Sequence, residues 1–142
     1  MQVAEKQFRL KIVKPEGDVF SGEVVSVTLP TVHGQITILK DHEAYVSSLA
    51  SGELVARTAD GNVSPMLISG GFLELADNEL IVLADSAEHV SEIDLEQAQK
   101  AKAELEAIIV KQEYRGPEYE ALLEKLSKER SRVEISHKWR KQ

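Results

Sequence analysis

The pattern of apolar and polar positions changes character once along this chain, across residues 87–94. Before that point the dominant period is two. Phe8, Leu10 and Ile12 alternate with Arg9 and Lys11, which predicts a strand with one buried face. Pro15-Glu16-Gly17-Asp18 predicts a turn. Residues 23–29 are rich in β-branched side chains and predict one strand, with Val25, Val27 and Leu29 on one face, Val24, Ser26 and Thr28 on the other, and Pro30 stopping it. Residues 34–39 alternate through Ile36 and Ile38, and Lys40-Asp41-His42-Glu43 has the polarity of a loop. Residues 44–49 and 53–58 predict two more strands punctuated by Gly52. Asp60-Gly61 is a hairpin signal leading into residues 62–68, where Pro65 predicts an edge position or a bulge.

Residues 67–87 close this part of the chain. Two apolar runs, 72–75 and 80–83, flank Asp77-Asn78, residue types that tolerate turn conformations, so a β-hairpin is predicted. The second run is wholly apolar, which predicts a strand covered on both faces. Ser69-Gly70-Gly71 reads as small residues that let two segments approach closely at a bend. Strand candidates every 8 to 12 residues or so, with turn chemistry between them and no intervening helix, predict a sandwich or barrel rather than a parallel α/β sheet.

Beyond residue 90 the period becomes 3.6. Ser91-Glu92-Ile93-Asp94 is a capping-box pattern that can start a helix at Ser91 or at Asp94. Leu95, Ala98, Lys102, Leu105 and Ile109 fall near one face, with Ala101 and Ile108 beside them. Gly116-Pro117 breaks the pattern, and proline suits the first turn of a new helix. Tyr119, Leu122, Leu126, Arg130, Val133 and His137 then recur at steps of three and four, with Leu123 widening the face. Two antiparallel helices follow from this. Their seam is narrow and alanine-rich, so the pair is marginal alone and must lean on something. The expected fold is α+β: an N-terminal antiparallel β-sandwich over residues 1–88, followed by a C-terminal antiparallel helical hairpin over residues 89–142.

Composition narrows the function. A net charge of −7 argues against general nucleic-acid binding, which needs a basic footprint to displace counterions. The absence of cysteine removes disulfides, thiolate catalysis and cysteine-ligated metals together. No apolar run approaches the ~20 residues of a membrane span. The first residues carry neither a signal-peptide core nor Arg-rich transit character, so the protein is expected to stay where it is made. Four histidines, at 33, 42, 89 and 137, lack metal-ligand spacing, so no metal site is expected. Ser69 lacks the flanking glycines of a nucleophile elbow, and Gly34 is not followed by the Lys-Ser/Thr pair of a phosphate loop. Glu104, Glu106, Glu118, Glu120 and Glu124 read as solvated helix faces. A binding or structural protein is favoured over an enzyme.

The last thirteen residues stand out as basic, with Arg130, Arg132, Lys138, Arg140 and Lys141 around Trp139. Two readings are open: a solvated terminus whose charge complements the helix dipole, and a surface that docks on an acidic partner.

The order of parts resembles the epsilon subunit of F-type ATP synthases, called delta in mitochondria, over nearly the whole chain. The resemblance rests on Ser69-Gly70-Gly71-Phe72-Leu73-Glu74, on Val82-Leu83-Ala84-Asp85-Ser86-Ala87, and on Gly34-Gln35-Ile36 continuing to His42, which is similar to the family's glycine-rich loop ending in a histidine. Thr37, Lys40 and Ala44 stand where the family has a second glycine and two prolines, and Gln35 where an acidic residue is common.

The resemblance implies a non-catalytic central-stalk, or rotor, subunit that couples ion transport through the membrane-embedded c-ring to ATP synthesis in the catalytic head. Its sandwich would dock on the gamma subunit and on the ring, with Gly34, Gln35 and His42 in the ring-facing loop. The protein would be peripheral, held at the cytoplasmic face of the cell membrane only through the complex. The hairpin would be regulatory. Extended, it would reach the alpha and beta subunits and suppress ATP hydrolysis, with Arg130, Arg132, Lys138 and Arg140 forming the basic inhibitory end. Arg130 and Arg132 lead that set, because terminal residues fray. Some relatives hold ATP through a pattern matched here by Ile93, Asp94 and Ala98, but Gln97 replaces its arginine, so weak or no ATP binding is expected and no cofactor is required. The alternative is a free-standing sandwich adaptor whose hairpin binds an unrelated protein. Co-purification with a gamma subunit separates the two.

Overall fold

The computed structural model describes residues 6–111 and 115–140. The chain divides into two compact units, Met1–His89 and Val90–Gln142.

Among the described residues the first unit carries eight strands: β1 (Phe8–Lys14), β2 (Gly17–Val24), β3 (Ser26–Thr31), β4 (Gly34–Ile38), β5 (Tyr45–Ser48), β6 (Gly52–Arg57), β7 (Val63–Ala76) and β8 (Glu79–His89). They pair in the order β2-β1-β8-β7-β6-β3-β4, with β5 added alongside β7. All pairs are antiparallel except β1 with β8, which is parallel.

The long hairpin of β7 and β8 belongs to both layers of the sandwich. Along one side β7 pairs with β8 from Met66 to Ala76; along the other it pairs with β6 over Val63 to Ile68 and with β5 over Phe72 to Leu75. The change of partner falls at Gly70 and Gly71, whose φ angles are +66° and +114°. The bend reading of this motif is thus met in the interior of one 14-residue strand. At the tip, Asp77 and Asn78 both have positive φ, 51° and 60°, the requirement of a two-residue turn that matches strand twist. Pro65 sits where β7 has run past the end of β8's ladder and keeps only β6, so its missing N–H costs no bond.

Two expectations are corrected. Residues 23–29 are not one strand: β2 ends at Val24, β3 begins at Ser26, and inward positions shift from even to odd number between Val24 and Val27. Pro30 does not end β3. It lies within the strand opposite Gln35, and its carbonyl accepts from Ala50 N–H at 3.1 Å. Between the layers, Phe8, Leu10, Ile12, Val27, Leu29, Ile38, Leu54, Ile68, Leu73, Leu80 and Val82 form one buried cluster, aliphatic as the low aromatic content requires.

The second unit opens with a single 3-10 turn (Val90–Glu92), followed by α1 (Leu95–Val110) and α2 (Pro117–Arg140). Of the two possible caps, Asp94 is the one used: its Oδ1 accepts from Gln97 N–H at 3.1 Å. Gly116, at φ +63°, and Pro117 begin α2 as the sequence predicts. Gln99 near the start of α1 meets His137 near the end of α2, 3.3 Å between their Nε2 atoms, so the helices run antiparallel.

Candidate docking site

The strand pattern dictates which side chains face outward. Successive residues alternate between faces, so the residues opposite one another across β5, β7, β8 and β1 form rows on one surface. One row is Phe72 opposite Leu83 opposite Val13, and the next is Val46 opposite Glu74 opposite Ile81 opposite Lys11. Val46, Phe72 and Leu83 are 72%, 60% and 52% exposed, and Val13 and Ile81 are half-buried beside them. The apolar run 80–83 is therefore covered on one face only: Leu80 and Val82 point into the core and Leu83 points out. Its continuous hydrophobicity cannot be explained by the sandwich interior. Polar residues frame the patch, with Arg9 donating to Ser21 Oγ at 3.1 Å and standing 3.8 Å from Glu23 Oε1. An apolar centre with a charged rim is the composition of a protein-binding surface.

The loop expected to carry Gly34, Gln35 and His42 is resolved into two places. Gly34 and Gln35 are exposed at the start of β4, beside the Val32-His33 turn, where Thr31 Oγ1 donates to the Gly34 carbonyl at 2.7 Å. His42 lies beyond the other end of that strand. Its Nδ1 stands 2.7 Å from the Glu43 carbonyl, which can only accept, so Nδ1 carries the hydrogen, and its ring meets Tyr45 edge-on at 6.2 Å. The strand between them is the reason they cannot share one loop. The residues next to His42 join the β7–β8 tip: Asp41 N–H donates to Asn78 Oδ1 at 2.8 Å, and Asn78 Nδ2 donates back to Asp41 Oδ1 at 3.2 Å. An open hollow of about 510 Å³ near this end is lined by the cations Lys6, Lys40 and Arg57, the aliphatic Val25 and Leu39, and Ser26.

The basic residues of α2 have different surroundings. Arg130 is exposed. Arg132 is mostly covered and donates from Nη1 to Glu129 Oε2 at 3.2 Å, one turn earlier. Lys138 Nζ lies 5.4 Å from the centre of the Trp139 ring. Arg140 Nη2 donates to the carbonyls of Val90, at 3.2 Å, and Ile93. Sequence reasoning missed this contact, because the Arg140 side chain meets backbone atoms some fifty positions away and backbone atoms carry no sequence signal. Lys141 lies outside the described residues. Ile93 and Ala98 are buried and Asp94 is spent as a helix cap, while Gln97 is exposed. Among the described residues, no group of three or more His, Asp or Glu side chains is placed to hold a metal, and no helix is long and apolar enough to cross a membrane.

Residues 7–90 match the family model described as ATP synthase, Delta/Epsilon chain, beta-sandwich domain. The chain belongs to this family. An ATP synthase epsilon chain of Dichelobacter nodosus is 36% identical over 102 residues, 72% of this chain and 71% of its own length. One from Desulfitobacterium hafniense is 39% identical over 106 residues, 75% of this chain and 80% of its own length. Among solved structures, a chain of the Euglena gracilis mitochondrial ATP synthase OSCP/F1/c-ring assembly superposes with a TM-score of 0.70 at 25% identity, covering 92% of this chain and 78% of that one. A chain from the Tetrahymena thermophila mitochondrial ATP synthase central stalk and c-ring, at 17% identity and a TM-score of 0.65, shares the fold. As an epsilon-type chain, the protein is a non-catalytic component of a membrane-associated ATP synthase.

Proposed function

We propose that this chain is a central-stalk subunit that turns with the rotor, docking through the open face of its sandwich on the gamma subunit. The observation that carries this reading is the patch of exposed Val46, Phe72 and Leu83 on a sheet whose inner face already has a full core. Burying a Phe or Leu side chain yields roughly 1.5–3 kcal/mol each, enough for such a face to supply much of a stable association. Gly34 and Gln35, exposed beside the β3–β4 turn, and His42, exposed beyond the other end of β4, are the proposed contacts with the c-ring. Gln35 would meet the ring's polar loops with an amide instead of a charge. The complex would hold the protein at the cytoplasmic face of the membrane.

The hairpin is the proposed brake on ATP hydrolysis. Its helices bury few side chains, Ala98 in α1 and Leu126, Val133, Ile135 and Ser136 in α2, so a rearranged hairpin is energetically accessible. Arg130, exposed and carrying a fixed charge, is the leading contact with the alpha and beta subunits, and Lys138 is a second. Gln97 in place of arginine removes the motif's own cation for phosphate from the Ile93, Asp94, Ala98 segment, so weak or no ATP binding is expected.

Titration of the cognate gamma subunit with the full chain by calorimetry tests the docking face. Wild type is expected to bind, and Phe72→Glu to weaken binding about 100-fold, the loss of a central apolar anchor. Equal affinity of the two proteins would remove this face from the interface.

A further inference from the structure

A carboxylate stands inside the apolar patch. Glu74 is exposed on the outer face of β7, with Val46 opposite it on β5 and Ile81 opposite it on β8. Phe72 and Ala76 lie two residues before and after it, on the same face of the same strand, and both are exposed. Every neighbouring position on that face is therefore apolar, and directly opposite side chains in a sheet stand only about 5 Å apart. Among the described residues Glu74 has no ion pair, and its carboxylate accepts no hydrogen bond. The cations of this face do not serve it. Arg9 is turned to Ser21 and Glu23. Lys11 shares the row but stands beyond Ile81, two strand spacings or about 10 Å across the sheet.

In the free chain water solvates this carboxylate. A partner seated on Val46, Phe72 and Leu83 must cover Glu74 as well, because the ladder places it among them. A carboxylate taken out of water without a counter-charge opposes the apolar gain around it, or takes up a proton. We infer that the gamma subunit presents a lysine or arginine to Glu74, so that the surface fitting this face is an apolar patch that holds a cation. This rests on the docking reading above and names the chemistry of the partner. Apolar contact alone leaves the two surfaces free to slide. A buried ion pair within it fixes one register of the sandwich on its partner.

The test is binding of the full chain to an ATP synthase head that contains the cognate gamma and lacks its own epsilon, followed by association and dissociation rates and by calorimetry at pH 7. Glu74→Gln keeps the size of an exposed side chain and removes its charge. It is expected to weaken binding about 30-fold, mainly through faster dissociation, as when a buried ion pair loses one member. Glu79→Gln, one row nearer the hairpin tip on the same face, should stay within twofold of wild type. The loss from Glu74→Gln should be the same size in a Lys11→Met background, because the cation comes from the partner. Affinity of Glu74→Gln equal to or tighter than wild type would overturn the inference. So would an equal loss in Glu79→Gln, a loss that vanishes with Lys11→Met, or proton uptake on binding that Glu74→Gln abolishes. Phe72→Glu separates this result from the docking reading. If wild type does not bind, or Phe72→Glu binds as wild type does, the face itself is wrong and the pairing falls with it. Weakened binding in Phe72→Glu with none in Glu74→Gln removes the cation and leaves the face.

Discussion

Gly71 is the residue this sandwich can least replace. A side-chain carbon there would fall 2.0 Å from the Leu83 carbonyl oxygen, on a backbone with φ of +114°. Neither the strand opposite nor the dihedral angle can yield, because β7 changes partner from β6 to β5 at this point. Gly71→Ala is expected to cost about 3 kcal/mol or more, from strain plus the displaced ladder, measured as a shift in the denaturant midpoint of the full chain. A midpoint equal to wild type would mean the bend is not fixed by this residue. Asp60 is the other residue with a defined chemical signature. In the β6–β7 turn it accepts from the Thr58 hydroxyl and from the Asn62 backbone N–H, the latter at 3.3 Å. These bonds, Thr58 first and the Asn62 backbone second, hold its pKa below the ordinary 3.8. A carboxylate with a depressed pKa lends stability that is fully present above the unfolded value and lost as pH falls through the folded one. NMR titration of the Asp60 carboxyl should therefore give a midpoint below 3.8, and Thr58→Ala should raise it. A midpoint that ignores Thr58 would contradict the assignment.

At the level of elements, the sequence was legible wherever a single local rule decided the outcome. Asp77-Asn78 turned as its residue types demand, Gly116-Pro117 opened α2, and the shift in period near residue 90 marked the change from strands to helices. The misreadings share a different cause. Residues 23–29 look like one strand because β-branched side chains run through them, but the strand boundary at Val25 is set by which sheet each half joins: β2 pairs with β1, and β3 with β4 and β6. Pro30 looked like a stop because its lack of an N–H is local, whereas its usable carbonyl found Ala50 from a distant segment. The fully apolar run at 80–83 looked doubly buried because hydrophobicity does not say whether the cover is the protein's own. One choice open from sequence, Ser91 or Asp94 as cap, was settled for Asp94. Asp94→Ala should cost about 1 kcal/mol of local stability, seen as faster exchange at Gln97 and Ala98 with the sandwich amides unmoved; unchanged exchange would show that the cap bond contributes nothing.

For the molecule as a whole, two kinds of surface remain unexplained by the protein's own stability: the apolar face of Val46, Phe72 and Leu83, and the cationic last turns of α2. The first was not legible in the sequence, since exposure depends on sheet order. The second was legible as charge but not as geometry, because Arg132 and Arg140 are engaged within their own helical unit while Arg130 is exposed. The docking and brake roles proposed above would make both of them partner-facing features of one rotor subunit. The most direct measurement is ATP hydrolysis by a head that contains the cognate gamma and lacks its own epsilon, titrated with the full chain, with bound protein quantified in the same samples. Saturable binding with slowed hydrolysis, both lost together in Leu83→Glu, is the predicted result. A chain that neither binds the head nor changes its rate would contradict the account.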